Sequence, residues 1–599
     1  MRVTIGDEMT TDVSTPRGGA WLIEPTDCQA IFTPERRTEE HRLIARTAEE
    51  FVENEVLPVL NRLEQHDWAL NRQLLKRCAD LGLLGADIPE VYGGVGLDKV
   101  SSLLVSDRLS RSASFGATHG GQANLTALPL FLFGTEAQKQ KYLPRVLSGE
   151  LVGAYALSEP GSGSDALGAK TRAARQADGS FVLNGEKMWI TNGGFADLFI
   201  VFAKVDGEHF TSFIVERAFG GLTSGKEEHK MGLHGSSTTA IVFQDARVPA
   251  DNVLGEIGKG HKVAFNVLNF GRFKLGAACS GGAQGAIGEA VRYAAARRQF
   301  GQPIANFGAI RHKIGEMIVR AYALESLLYR IAGLIDQRIE GTPHDPAQGA
   351  AALAAVEEFA VEASIAKVAG SETLDFVLDE NIQIHGGNGF VRDYPAERHF
   401  RDARVNRIFE GTNEINRLLI PGMLARRAVK GDLALIPAAK ALREELLGPP
   451  QMQATDDSLL SDERRTIDSL KKTALMVLGL AMETFGQQLN DQQEVLMHAA
   501  DILIDVFSAE SSVVRAQAAA AQRVPSAALQ ADAARVFVND AAMRIDGAAR
   551  QALAATVEGD TLRTMLAALR RLVKLTPINT VALRRRISEE AVARAGYVF

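Results

Sequence analysis

Ile44, Ala48, Phe51, Val52 and Val56 recur at helical spacing, and Thr33 followed by Pro34 reads as an N-cap with proline at the first helical position. The fold therefore opens on helix. The same texture runs through Leu70 to Leu84 and Lys99 to Leu109, broken by the turns Tyr92-Gly93-Gly94 and His119-Gly120-Gly121. After Gly149 the period changes. Phe181 to Leu183, Met188 to Thr191 and Leu198 to Val205 are short β-branched and aromatic runs, and Asn184-Gly185 and Asp206-Gly207 suit the positive φ of tight hairpin turns. This predicts an antiparallel sheet ending at Val253-Leu254-Gly255. Helical spacing then runs from His261 to about Lys430, as a bundle of long helices would. Gly448-Pro449-Pro450 and the polar run to Asp457 read as a linker, and Ile502, Val506, Ala509 and Val513 mark a further amphipathic helix beyond it.

The expected fold is thus mainly α with a middle antiparallel β domain. Its units are an arm (1–32), a helical domain (33–150), a β domain (151–258), a helical bundle (259–435), a linker (436–458) and an extra helical domain (459–599). Composition narrows the function. The 599 residues carry 66 Lys and Arg against 73 Asp and Glu, a net −7, so no basic excess drives binding to nucleic acid. Cys28, Cys78 and Cys279 lack the spacing of disulfide frameworks or metal sites, which fits a reducing, cytoplasmic setting and predicts no metal centre. Residues 1–16 are acidic without an apolar run, so a loose arm is expected there rather than a secretory signal. The longest apolar stretches, such as Ala474 to Met482, are too short to span a bilayer, which takes about 18 residues or more.

Four segments concentrate chemistry. Tyr155-Ala-Leu157-Ser158-Glu-Pro-Gly-Ser-Gly163-Ser164-Asp165 gathers hydroxyls and glycines into one loop, able to meet a planar ring edge or a phosphate, although composition alone also allows a plain turn. Trp189 and Thr191 stand two apart on one expected strand and so would share a face, Trp189 able to flank a flat ring or simply to fill core. Gln383-Ile-His-Gly386-Gly387-Asn-Gly389 is a glycine-rich break between helices whose backbone could cradle a pyrophosphate, without the spacing of a Rossmann fingerprint. In Phe409-Glu410-Gly411-Thr412-Asn413-Glu414, a carboxylate lies between an aromatic and a glycine. In a dry pocket, desolvation would raise its pKa toward that of a useful base; on a surface it would be an ordinary helix-start glutamate.

In order and spacing these four segments resemble the acyl-CoA dehydrogenase family over residues 35 to 430. The length, Asn306-Phe307-Gly308 and the extra C-terminal domain make the chain most similar to the very-long-chain branch. The resemblance implies a flavoenzyme with FAD between the β domain and the bundle. Tyr155, Leu157, Ser158, Gly163, Ser164, Trp189 and Thr191 would hold the flavin ring and nearby groups, with Thr412 and Glu414 also on the cofactor. Arg297, Phe300, Gln383, Gly386 and Gly387 would reach the FAD of a neighbouring subunit, which implies a homodimer. Glu410 would be the catalytic base. The alternative position that some members use, immediately before the helix arginine Arg272, holds Gly271 and no carboxylate. Ser164, Asn269, Arg272 and Gly411 would contact the acyl-CoA. The expected reaction is α,β-dehydrogenation of a long acyl-CoA to trans-2-enoyl-CoA in fatty acid β-oxidation, with electrons passing to an electron-transfer flavoprotein.

An acyl-CoA oxidase using oxygen and a non-catalytic scaffold member are the alternatives on the same fold. Thr126 and Pro129 are expected near the acyl end of the pocket as candidates for its floor. A peripheral membrane contact through the C-terminal domain is a further expectation from the very-long-chain branch.

Overall fold

The computed structural model describes residues 16–341, 349–448, 458–574 and 576–599. The helical opening has α1 (Glu39–Phe51), α2 (Trp68–Asp80), α3 (Lys99–Leu109), α4 (Ala113–Gln122) and α5 (Glu136–Leu147). Thr33 stands at the N-cap position of only the three-residue 3-10 turn Pro34–Arg36, and its hydroxyl makes no capping bond. The α-helix itself starts beyond Thr38, whose hydroxyl accepts from His41 N (3.2 Å) while the Thr38 N–H donates to His41 Nδ1 (3.1 Å). That reciprocal cap satisfies two amides that the first helical turn leaves free.

The middle domain has strands β1 (Gly153–Ala156), β2 (Arg172–Arg175), β3 (Phe181–Thr191), β4 (Leu198–Val205), β5 (His209–Glu216), β6 (Leu222–Glu227), β7 (Thr238–Val248) and β8 (Val253–Leu254). They form one sheet in the order β6-β7-β3-β2-β4-β5-β8, with β1 on β4. The sheet is mixed: β1 and β2 both run parallel to β4, and the other pairings are antiparallel. Alternating hydrophobicity carries no information about strand direction, so the sequence pattern could not reveal the two parallel pairs. Asp206 (φ 53°) and Gly207 (φ 81°) make the hairpin turn between β4 and β5. Asn184-Gly185 does not turn the chain. It lies inside β3 at a register shift opposite β7, so the two runs expected as separate strands are one bulged strand.

Helices α6 (Gly260–Ala296), α7 (Gly308–Glu340), α8 (Ala360–His385) and α9 (Asn413–Lys430) build the bundle. Between α6 and α7, a short hairpin pairs Arg298–Gln299 with Gln302–Pro303. Beyond the bundle lie α10 (Ser461–Phe485), α11 (Gln493–Ala521) and α12 (Ala527–Thr556). Leu324 and Leu327 of α7 share one core with Leu503 and Val506 of α11, so the extra helical unit is packed onto the bundle.

The expected arm and linker both hold ordered structure. Residues 1–15 lie outside the described residues, but Trp21 is buried, donates to Glu362 Oε1 (2.9 Å) and sits 4.9 Å from the Phe507 ring. Helix Leu435–Leu447 occupies the first part of the expected linker, and residues 449–457 lie outside the described residues.

Candidate active site

Between the N-terminal helical domain and the bundle, with Thr191 and Leu233 of the β domain in its wall, a cleft of about 870 Å³ runs along one face of α6. Gly120 and Gly121 of α4, Thr191 of β3, Gly271 of α6, Phe409 and Glu410 are among its walls. This is the size of a small-molecule site, and it is the place where separate structural units bring loops together.

Glu410 occupies the loop ahead of α9 in the left-handed region (φ 57°), with Gly411 after it at 76°. That turn presents three successive carbonyls to one side chain: Asn416 Nδ2 donates to the oxygens of Glu410 (3.4 Å), Gly411 (2.9 Å) and Thr412 (3.0 Å). Thr412 then caps α9, its hydroxyl accepting from Ile415 N at 3.2 Å. Arg272 Nε donates to the Glu410 carbonyl (3.3 Å), and its Nη1 to Asn269 Oδ1 (2.8 Å). The loop is thus fixed through its backbone, which leaves the carboxylate uncommitted.

Glu410 Oε2 is shut from solvent and has no hydrogen-bond partner. Burial pushes the carboxyl up to about 7, against the pull of Arg272 and Lys367. A Cβ on Gly271 would collide with this oxygen, so the absence of a side chain at 271 is what gives the carboxylate its room. Arg272 is itself drawn down to about 10 by burial, an effect that Glu410 offsets. The backbone N–H of Glu410 has no acceptor among the described residues.

Outside the cleft wall, β1 runs into the Tyr155 to Asp165 loop. Tyr155 is packed edge-on against Phe202 (5.1 Å), and its hydroxyl is buried without a partner. Leu157 and Ser158 are half-buried, Gly163 and Ser164 are exposed, and none of the four lines the cleft. The loop is held by Glu159, which accepts from Lys187 Nζ (2.7 Å) and Thr171 N (3.1 Å), while Lys187 also donates to the Leu157 carbonyl (3.1 Å). Glu159 and Lys187 were not singled out from the sequence. Their pairing joins two sites 28 residues apart and has no local signature.

Trp189 has φ 57° and sits at a second register shift of β3, between Lys187 and Ile190. An extra residue at a bulge breaks the two-residue alternation, so strand periodicity does not put Trp189 and Thr191 on one face. Thr191 lines the cleft; Trp189 does not, and it is 59% exposed.

A second group stands on the surface. Phe300, 92% exposed, and Gly301 occupy the tip of the hairpin after α6, with φ 50° and 82°. Arg297 and Gln383 are exposed beside it, and a Cβ on Gly386 or Gly387 would meet nothing. Tyr293 ties the two segments together, its ring stacked on His385 (4.0 Å) and its hydroxyl bonded to the His385 carbonyl (3.2 Å). The structure therefore leaves Arg297, Phe300, Gln383, Gly386 and Gly387 exposed and outside the cleft that Glu410 lines, with their two segments joined through Tyr293 and His385. Glu414 is exposed at the start of α9, outside the cleft wall.

Thr126 does not form the floor of the cleft. Its hydroxyl donates to the Gly121 carbonyl (2.9 Å) and its side chain fills the space over Gly153. Neither Thr126 nor Pro129 lines the cleft; Gly116, Ala117, Gly120 and Gly121 do.

Comparison with known proteins agrees with this layout. Family models for the N-terminal, middle and C-terminal domains of acyl-CoA dehydrogenases match residues 38–150, 154–246 and 258–424, and a further acyl-CoA dehydrogenase C-terminal domain matches 469–571. The chain belongs to the acyl-CoA dehydrogenase family. A probable acyl-CoA dehydrogenase of Bacillus subtilis is 46% identical over 572 residues, 95% of this chain and 96% of that one. An acyl-CoA dehydrogenase of Bacillus anthracis, solved in complex with FAD, aligns with a TM-score of 0.95 at 46% identity, covering 98% of this chain and all of that one. The very long-chain specific enzyme of Macaca fascicularis mitochondria is 42% identical over 390 residues, 62% of this chain and 57% of that protein. Among the described residues no helix is long and apolar enough to cross a membrane.

Proposed function

We propose that the chain oxidises long acyl-CoA thioesters to trans-2-enoyl-CoA with FAD, Glu410 taking the α-proton. The observation that carries this reading is the Glu410 carboxyl itself: buried, unpartnered at Oε2, facing a cleft, and raised to about 7. A base near neutrality combines availability as carboxylate with driving force for proton transfer. Its own N–H, free of any acceptor among the described residues, is available to donate to the thioester oxygen as negative charge develops there. Arg272 and Asn416 hold the carbonyl side of that peptide chain, so the donor and the base are presented together.

The residues suit FAD. Thr191 offers a polar contact inside the cleft, the Tyr155 hydroxyl is buried without a partner, and half-buried Ser158 with exposed Gly163 and Ser164 leaves an open approach. When bound, the flavin supplies a two-electron acceptor for the β-hydrogen. The exposed residues Arg297, Phe300, Gln383, Gly386 and Gly387 suit the adenosine and pyrophosphate of a neighbouring subunit's cofactor, which makes a homodimer the functional unit. The small wall residues of α4 and the length of the cleft favour long acyl chains. An electron-transfer flavoprotein is the proposed acceptor, in β-oxidation. Peroxide formation in air without an added acceptor would instead favour an oxidase.

Glu410→Gln tests the reading. The variant should keep flavin and acyl-CoA binding and lose several orders of magnitude in turnover with an artificial dye acceptor; near-normal turnover would remove Glu410 from the role.

A further inference from the structure

Lys367 on α8 is fully buried, and among the described residues it makes no ion pair. Its ammonium donates to the neutral Asn413 Oδ1 at 2.6 Å. An ammonium in a dry interior without a carboxylate in contact is costly, so its position calls for another charge that benefits.

The groups around it supply one. Lys367 is anchored on Asn413, three residues along the chain from Glu410, and the charges of Arg272 on α6 and Lys367 on α8 both favour the Glu410 carboxylate, which in turn acts on Tyr155 of β1. Burial draws Lys367 itself down to about 8, an effect that Cys279 of α6, Glu410 and Glu414 of α9 offset and Arg272 of α6 reinforces.

What holds Lys367 in place is a relay that leaves the bundle. Asn413 Nδ2 donates to Glu372 Oε1 (3.0 Å). Arg417, one turn along α9, grips Glu372 with both terminal nitrogens (2.7 and 2.9 Å) and donates through Nε to Asp501 Oδ1 at 2.7 Å. Asp501 belongs to α11, in the extra helical unit. The two-point contact fixes the Arg417 plane, and the third bond fixes its direction.

We propose that Lys367 is the positioning residue for the base. Held by Asn413, Glu372, Arg417 and the C-terminal unit's Asp501, its ammonium favours ionised Glu410, so that the extra domain sets the pH range in which the base works. The proposal rests on the reading of Glu410 as base.

The test is the pH profile of kcat/KM for one acyl-CoA with a dye acceptor, measured on flavin-loaded enzyme. Loss of a neighbouring positive charge disfavours the carboxylate, so Lys367→Met should move the acidic limb up by about one pH unit or more. Lys367→Arg should restore much of the wild-type position. Asp501→Asn should move the limb in the same direction by a smaller amount. If Asp501 acted only through space, removing its negative charge would favour ionised Glu410 and move the limb down. An unmoved limb in Lys367→Met overturns the proposal, and an unmoved or lowered limb in Asp501→Asn overturns the part played by the C-terminal unit. Should Lys367→Met fail to fold, Lys367→Gln, which keeps a donor for Asn413, carries the same prediction. Glu410→Gln separates the two readings: full turnover in that variant removes the base, whereas a dead variant beside unmoved limbs removes only the relay.

Discussion

At the scale of single residues, Glu410 and Gly271 are one device. The carboxylate takes the volume that a side chain at 271 would occupy, so Gly271→Ala should displace it. Glycine to alanine inside a helix stabilises by about 1 kcal/mol when nothing else is touched. The expected signature is therefore a large loss of turnover with little loss of melting temperature, checked by dye-coupled assay and calorimetry on one preparation; unchanged turnover would mean that the carboxylate does not need this space. The pH dependence follows from the same site. Glu410 is raised to about 7, and proton abstraction needs the carboxylate, so kcat/KM should be constant above that pH and fall about tenfold per unit below it. A limb near 4.5 would place the working carboxylate in water instead. Glu410 was proposed as base through the family resemblance, since its flanking aromatic and glycine alone also allowed an ordinary surface glutamate. Lys367, Asn413 and Lys187 could not be read from the sequence, since each acts through a partner on another element and nothing near them in the chain marks the pairing.

At the scale of elements, the proposed path of the acyl chain follows the glycines of α4 that line the cleft. Gly120 has open space beyond its Cβ direction, with Asn124 Nδ2 the nearest atom at 3.8 Å, and it lines the cleft. Gly120→Leu should shorten the longest acyl-CoA accepted, with each displaced methylene costing about 0.8 kcal/mol in efficiency. Thr126→Gly should leave the chain-length profile unchanged and destabilise the fold by about 1–3 kcal/mol, through the lost bond to Gly121 and the void over Gly153. Efficiencies across an acyl-CoA series, beside melting curves, check both; a profile that lengthens in Thr126→Gly would return that residue to the pocket floor. The order of helical and strand regions could be read from hydrophobic spacing because burial of one face imposes it. The bulges in β3 could not, and they are what place Trp189 outside the alternation. Asp206-Gly207 and Asn184-Gly185 look alike in sequence, but β5 lies in register beside β4 and closes the first as a hairpin, whereas β7 pairs along β3 on both sides of the second.

At the scale of the whole molecule, Phe300 stands 92% exposed at its hairpin tip, and the proposed homodimer would cover it with a second copy. Phe300→Asp should weaken dimerisation and flavin retention together, read by sedimentation and by absorbance of the gel-filtered protein; a variant that stays dimeric and yellow would detach the hairpin from both roles. The central claim is that this cleft oxidises acyl-CoA with Glu410 as base. It is tested most directly by mixing a long-chain acyl-CoA anaerobically with flavin-loaded wild type and with Glu410→Gln, following flavin absorbance. The account predicts rapid bleaching in the wild type, and in the variant a perturbed spectrum from bound ligand with bleaching slowed by several orders of magnitude. Bleaching of Glu410→Gln at the wild-type rate, or a wild-type protein that takes up no flavin, would contradict it.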